Sequence, residues 1–126
     1  MTPDTPQAAQ VKAAIDGLIQ SVSSREFDIL GRIYHDDMTI FMFGADGEVN
    51  RSDKAGFIKH VREKTDEAVT PQTWARYHLV EADAQHGHVV ISRKVNLSGE
   101  MKIVTLSIDL IHQDDRWQIT REVIAM

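Results

Sequence analysis

The sequence has no cysteine among its 126 residues, which excludes disulfides, thiolate metal sites and cysteine nucleophiles together. Proline is scarce: two of the three fall in Met1 to Pro6, so little interrupts regular structure in the rest of the chain. No apolar run approaches the roughly 18 residues that cross a bilayer, and Met1 to Gln10 lacks the basic and apolar segments of a secretion signal. A cytoplasmic location is therefore expected. Lys and Arg total 14 against 19 Asp and Glu, and the net charge of −5 is spread along the chain. Without a basic cluster to neutralise phosphates, neither nucleic acid nor a membrane is an expected partner.

Several chemical motifs are missing as well. No serine lies in a nucleophile elbow and no glycines form a phosphate-cradling loop, so no cofactor is expected. Six histidines include His86-Gly87-His88, with His78 and His112 elsewhere, but none belongs to a spaced ligand set with a carboxylate. His86 and His88 read as solvent-exposed turn residues, and no metal is expected. His35, beside Asp36-Asp37, reads as a residue at a helix C-terminus interacting with the dipole.

What is present is the composition of one folded domain, 42% hydrophobic and 26% charged. At this length a chain removes roughly two thirds of its unfolded surface from water. Residues 1–6 read as a frayed lead-in and 7–126 as a single domain. Between Gln7 and Ser24, Val11, Ala14, Ile15, Leu18, Ile19 and Val22 recur at helical spacing, and Phe27, Leu30 and Ile33 repeat it over Glu26 to Tyr34. Met38 to Phe43 reads as a strand ending at an Asp46-Gly47 turn. Ser52 is expected to cap a third helix carrying Phe57, Ile58 and Val61 and ending near Ala68, with Pro71 stopping it. Four strands are then expected near 73–84, 88–97, 101–112 and 117–124, punctuated at Gln85-His86-Gly87, Ser98-Gly99 and Asp114-Asp115. The result is an α+β fold with three helices covering one face of a curved, mainly antiparallel sheet.

Two passages carry a resemblance. Arg25 to Leu30 running into Tyr34-His35-Asp36-Asp37-Met38-Thr39-Ile40, and the last hairpin from Leu110 to Ile119, resemble the nuclear transport factor 2-like superfamily, a cone-shaped fold. It includes ketosteroid isomerases, SnoaL-like cyclases, scytalone dehydratase and lumazine-binding-like bacterial proteins. The frame hosts unrelated chemistries, so residues have to be carried over singly. The resemblance implies Met42 at the isomerases' general-base Asp and Leu18 at their oxyanion Tyr, neither of which can do that chemistry. Asp109, in Ser107-Ile108-Asp109-Leu110, matches the remaining acid.

The facing of Asp109 depends on the last turn. A three-residue loop, Gln113 to Asp115 with Asp115 left-handed, places Thr105, Ser107, Asp109, Trp117, Ile119 and Arg121 on one interior face. A two-residue Asp114-Asp115 turn pairs Leu110 with Ile119 and moves Asp109 to the other side. The first register is expected. It puts Val104, Leu106, Ile108 and Leu110 on the outer face as a homodimer surface; in the other register the same stripe faces the core.

A catalytic Asp109 would then share a pocket with Leu18, Met42, Phe57, Ser107, Trp117 and Arg121, suited to an unknown small molecule with one or two polar handles. A structural ion pair of Arg121 with Asp109 or Glu122 is the plainer reading. Three functions follow: a dimeric small-molecule-binding domain; an isomerase, dehydratase or cyclase using Asp109, with Arg121 or His78 stabilising charge; or a protein-interaction module using the outer face.

Overall fold

The computed structural model describes residues 3–44, 46–67, 74–97 and 100–125. Helix α1 spans Pro6–Ser23, α2 Phe27–Ile33 and α3 Lys54–Glu67; the strands are β1 Tyr34–Phe43, β2 Val49–Ser52, β3 Ala75–Ala82, β4 His86–Leu97, β5 Glu100–Gln113 and β6 Arg116–Ala125. The six strands form one open, curved sheet in the order β2-β1-β6-β5-β4-β3, antiparallel throughout except for β1 beside β6. The three helices lie on its inner face: α1 packs on β3, β4 and β6, and α3 on β1.

Helix α1 begins where Pro6 supplies a ready-made helical φ and the Thr5 hydroxyl accepts from the amide of Ala8, 3.1 Å away. Its expected stripe is its buried stripe, with Val11, Ile15, Leu18 and Ile19 in the core. Helix α3 is capped by Asp53 and not by Ser52: the Gly56 amide donates to Asp53 Oδ1 at 2.8 Å, while Ser52 closes β2 opposite Ile40. Strand β2 itself was not expected. It has four residues with one β-branched side chain, too short for a period, and the Gly44 to Glu48 turn brings it onto β1. The expected helix end at Ala68, its stop at Pro71 and the Ser98-Gly99 turn lie outside the described residues.

Helix α2 stops at Ile33, so His35 sits in β1, not at a helix end. Its Nδ1 accepts from the Asp37 amide at 3.0 Å, which leaves Nε2 to donate to Gln113 Oε1 at 3.3 Å. Gly87 and His88 are likewise strand residues and not turn residues. The β3–β4 turn closes earlier, where Asp83 donates its amide to the His86 carbonyl and accepts from the amides of Gln85 and His86. Gly87 is a glycine because α1 crosses it: a Cβ there would stand 2.7 Å from Val11 Cγ2.

The last hairpin corrects the expected register. Asp114 and Asp115 both take positive φ, 56° and 58°, and form a two-residue turn with Gln113 opposite Arg116 and Leu110 opposite Ile119. Aspartate tolerates this conformation better than most residues, so the turn needs no glycine. Val104, Ile108 and Leu110 are consequently buried and Leu106 packs against the core, so the aliphatic stripe faces inward and not outward. One further irregularity follows: the pairing shifts between Leu110–Ile119 and Asp109–Arg121, leaving Thr120 as an extra residue in β6 with its hydroxyl 3.3 Å from the Asp109 carbonyl.

Candidate functional site

That bulge decides which β6 side chains enter the interior. Alternation carries Trp117 and Ile119 inward, Thr120 absorbs one step, and Glu122 then also points inward while Arg121 points out. Glu122 is 2% exposed, flanked on neighbouring strands by Ile40 and Ile108, both buried. Its Oε1 accepts from the Tyr34 hydroxyl at 3.0 Å. Tyr34, the first residue of β1, is itself buried, and its ring meets Phe57 of α3 edge to face at 5.1 Å. Arg93, on the inner face of β4 opposite Val104 and donating to the Trp74 carbonyl at 3.0 Å, supplies the nearby positive charge.

Burial dominates the electrostatics of this cluster. It pushes the Glu122 carboxyl up from 4.5 to about 7, against the Tyr34 hydrogen bond and the Arg93 charge, which pull it down. Burial and the adjoining carboxylate hold the Tyr34 phenol well above 10, so it remains a donor. Burial also lowers Arg93, with Tyr77, Glu122 and Tyr34 opposing. A carboxyl that exchanges its proton near neutrality, with a phenol fixed on one oxygen, can accept or donate a proton or hydrogen-bond a polar group brought against it.

The expected site residues divide between the two faces. Leu18 is buried on α1, Met42 follows Ile40 on the inner face of β1, and Phe57 abuts Tyr34. Trp117 also faces inward but belongs to the core beneath α1, donating to Gln10 Oε1 at 3.1 Å and crossing His112 edge to face. Ser107, Asp109 and Arg121 lie on the outer face. Asp109 does not face the interior: its side chain is 49% exposed and accepts from or pairs with His88, not a group inside the cone. His78 also leaves the interior, its Nε2 2.7 Å from Ser92 Oγ. Tyr34 and Arg93 were missed, and Glu122 was read only as a partner for Arg121, from which it turns away on the other face, because each is an ordinary strand residue until the bulge and turn fix its facing. The signal available was an acid set between Thr120-Arg121 and Val123-Ile124 in an aliphatic strand.

A groove of about 610 Å³ runs between the α1 cap Thr5 and first turns, including Ala8 and Lys12, and β3 residues Tyr77 to Val80. None of Tyr34, Arg93 and Glu122 lines it, so it is separate from the interior cluster. No helix among the described residues is long and apolar enough to cross a membrane.

No protein-family model matches the sequence, and no curated protein does. Solved structures do match by shape. An NTF-2 like protein of unknown function from Silicibacter pomeroyi DSS-3 superposes with a TM-score of 0.78 at 15% identity, covering 98% of both chains. One from Shewanella oneidensis MR-1 gives 0.76 at 10% identity, covering 95% of this chain and 99% of the other. A third, from Shewanella baltica OS155, gives 0.74 at 12% identity over 98% and 96%. The order of elements, the helix-covered curved sheet and these superpositions together identify the chain as having the nuclear transport factor 2-like fold.

Proposed function

We propose that the protein is a small-molecule-binding domain whose ligand is mostly apolar and presents one polar handle to Glu122 and Tyr34. The observation that carries this reading is a carboxyl group 2% exposed between Ile40 and Ile108. Burying such a group costs stability that an aliphatic residue would not, so its retention is best accounted for by use. Phe57, Met42 and the inner β5 aliphatics supply apolar walls. Thermal-shift titration with small aliphatic ketones, alcohols and amides tests it. Compounds that raise the melting temperature of the wild type should lose that effect in Glu122→Gln and Tyr34→Phe. Undiminished shifts in both variants would remove the cluster from the site.

The proton affinity of Glu122 favours a second reading, an acid/base enzyme in which this residue, and not Asp109, moves the proton. Glu122→Gln should then abolish turnover of any substrate found while leaving its binding measurable.

A homodimer through the outer face is also proposed, on a different surface from the aliphatic stripe that first suggested it. Phe43 and Val49 are paired neighbours exposed to 42% and 51% at the β1–β2 end. Sedimentation velocity should show a dimer that Phe43→Glu dissociates; a monomeric wild type would end the proposal.

A further inference from the structure

On the outer face, away from Glu122, β4 and β5 bring three side chains together. His88 and Asp109 are directly opposite each other, and Ser107 lies two residues from Asp109 on the same face. His88 Nδ1 is 2.6 Å from Asp109 Oδ1, and Ser107 Oγ is 3.4 Å from His88 Nε2. A carboxylate on Nδ1 requires the proton there, so Nε2 presents its lone pair to the serine hydroxyl. The order carboxylate, imidazole, hydroxyl is that of a base-activated nucleophile, which is recognised by geometry and roles and not by sequence position. The group is reachable: the His88 side chain is 23% exposed and the Asp109 side chain 49%. Arg121 stands opposite Asp109, and therefore diagonal to Ser107, at a separation a long side chain spans. Among the described residues no ion pair engages it.

We propose that Ser107, His88 and Asp109 form an acyl-transfer site for small, activated carboxylic esters. Ser107 Oγ bonds to the ester carbonyl carbon as its proton passes to His88 Nε2. The bond from that carbon to the alcohol oxygen breaks, and the departing oxygen takes the proton from His88. Water then repeats the sequence: His88 accepts its proton, its oxygen bonds to the acyl carbon, and Ser107 leaves with the proton restored. The products are the acid and the alcohol. Asp109 positions the imidazole, and Arg121 supplies positive charge for the tetrahedral oxyanion, the backbone amides around Ser107 being committed to the strand ladders.

Two measurements on the full chain test this. Release of nitrophenolate from p-nitrophenyl acetate should exceed the buffer rate. A fluorophosphonate probe, followed by intact and peptide mass spectrometry, should add one adduct per chain at Ser107. Ser107→Ala should eliminate the adduct, and His88→Gln should slow its formation about a hundredfold or more. Asp109→Asn should slow it too and Asp109→Glu should restore part of the rate, with circular dichroism confirming that each variant folds. No adduct on the wild type, an adduct that persists in Ser107→Ala, or labelling unaffected by His88→Gln would each overturn the proposal.

Discussion

The two faces of the sheet are made by the same strands, yet they treat polar residues oppositely. The inner face admits Tyr34, Arg93 and Glu122 among aliphatic residues, and the burial of Glu122 raises its proton affinity. The outer face carries two hydrogen-bonded groups, His78 with Ser92 and Thr105, and Ser107 with His88 and Asp109, the second of which water partly reaches. The difference teaches that a polar residue's chemistry is set less by its neighbours in sequence than by the side of the sheet its strand parity assigns.

Substitution of adjacent residues on β5 breaks the comparison most directly. Leu110→Ala should cost about 2–5 kcal/mol in chemical denaturation, whereas Asp109→Ala should cost less than about 1 kcal/mol. Equal costs would contradict the two-residue turn. Next in size is the pH dependence attributable to Glu122. Its folded value lies above the unfolded one, so below 4.5 both forms hold the proton and stability is whole; it is lost as the pH rises through about 7. The gap between 4.5 and about 7 corresponds to a loss on the order of 3 kcal/mol, which Glu122→Gln should remove. Urea titrations at pH 5 and 8 provide the check, and an unchanged dependence in the variant would place the titration elsewhere.

Gly87→Ala sharpens the packing side of the comparison, since its methyl group meets Val11 at 2.7 Å. It should destabilise by about 1–3 kcal/mol, with Gly87→Ala/Val11→Ala recovering part of that. The smallest expected effect is a gain. Asp115→Gly should stabilise by about 0.5–1 kcal/mol by relieving a positive φ, leaving the Leu110–Ile119 pairing intact by NMR.

Most of the architecture was legible in the residues. The α1 stripe, the α2 period and the turn signals at Asp46-Gly47 and Asp114-Asp115 are local patterns, and local patterns survive folding when tertiary packing agrees with them. Facing was not legible, because it depends on counts that differ by one. Asp114-Asp115 lacks the glycine that ordinarily marks a turn with two left-handed residues, and nothing in Ile119-Thr120-Arg121 announces an extra residue. Gly87 misled in the opposite sense, being a site of close approach and not a turn. The interior cluster was hidden for the same reason as the register, whereas Ser107, Asp109 and Arg121 were rightly grouped and assigned to the wrong side.

Thr120 turns this sensitivity into a property of the protein. Were that residue to pair in regular alternation instead of standing outside the ladder, every side chain from position 121 onward would change face, Arg121 turning inward and Glu122 toward water; deleting it would only straighten the strand and leave both where they are. A single unpaired residue thus decides which sign of charge stands between Ile40 and Ile108, and a codon lost at that position would shorten the strand without changing that sign.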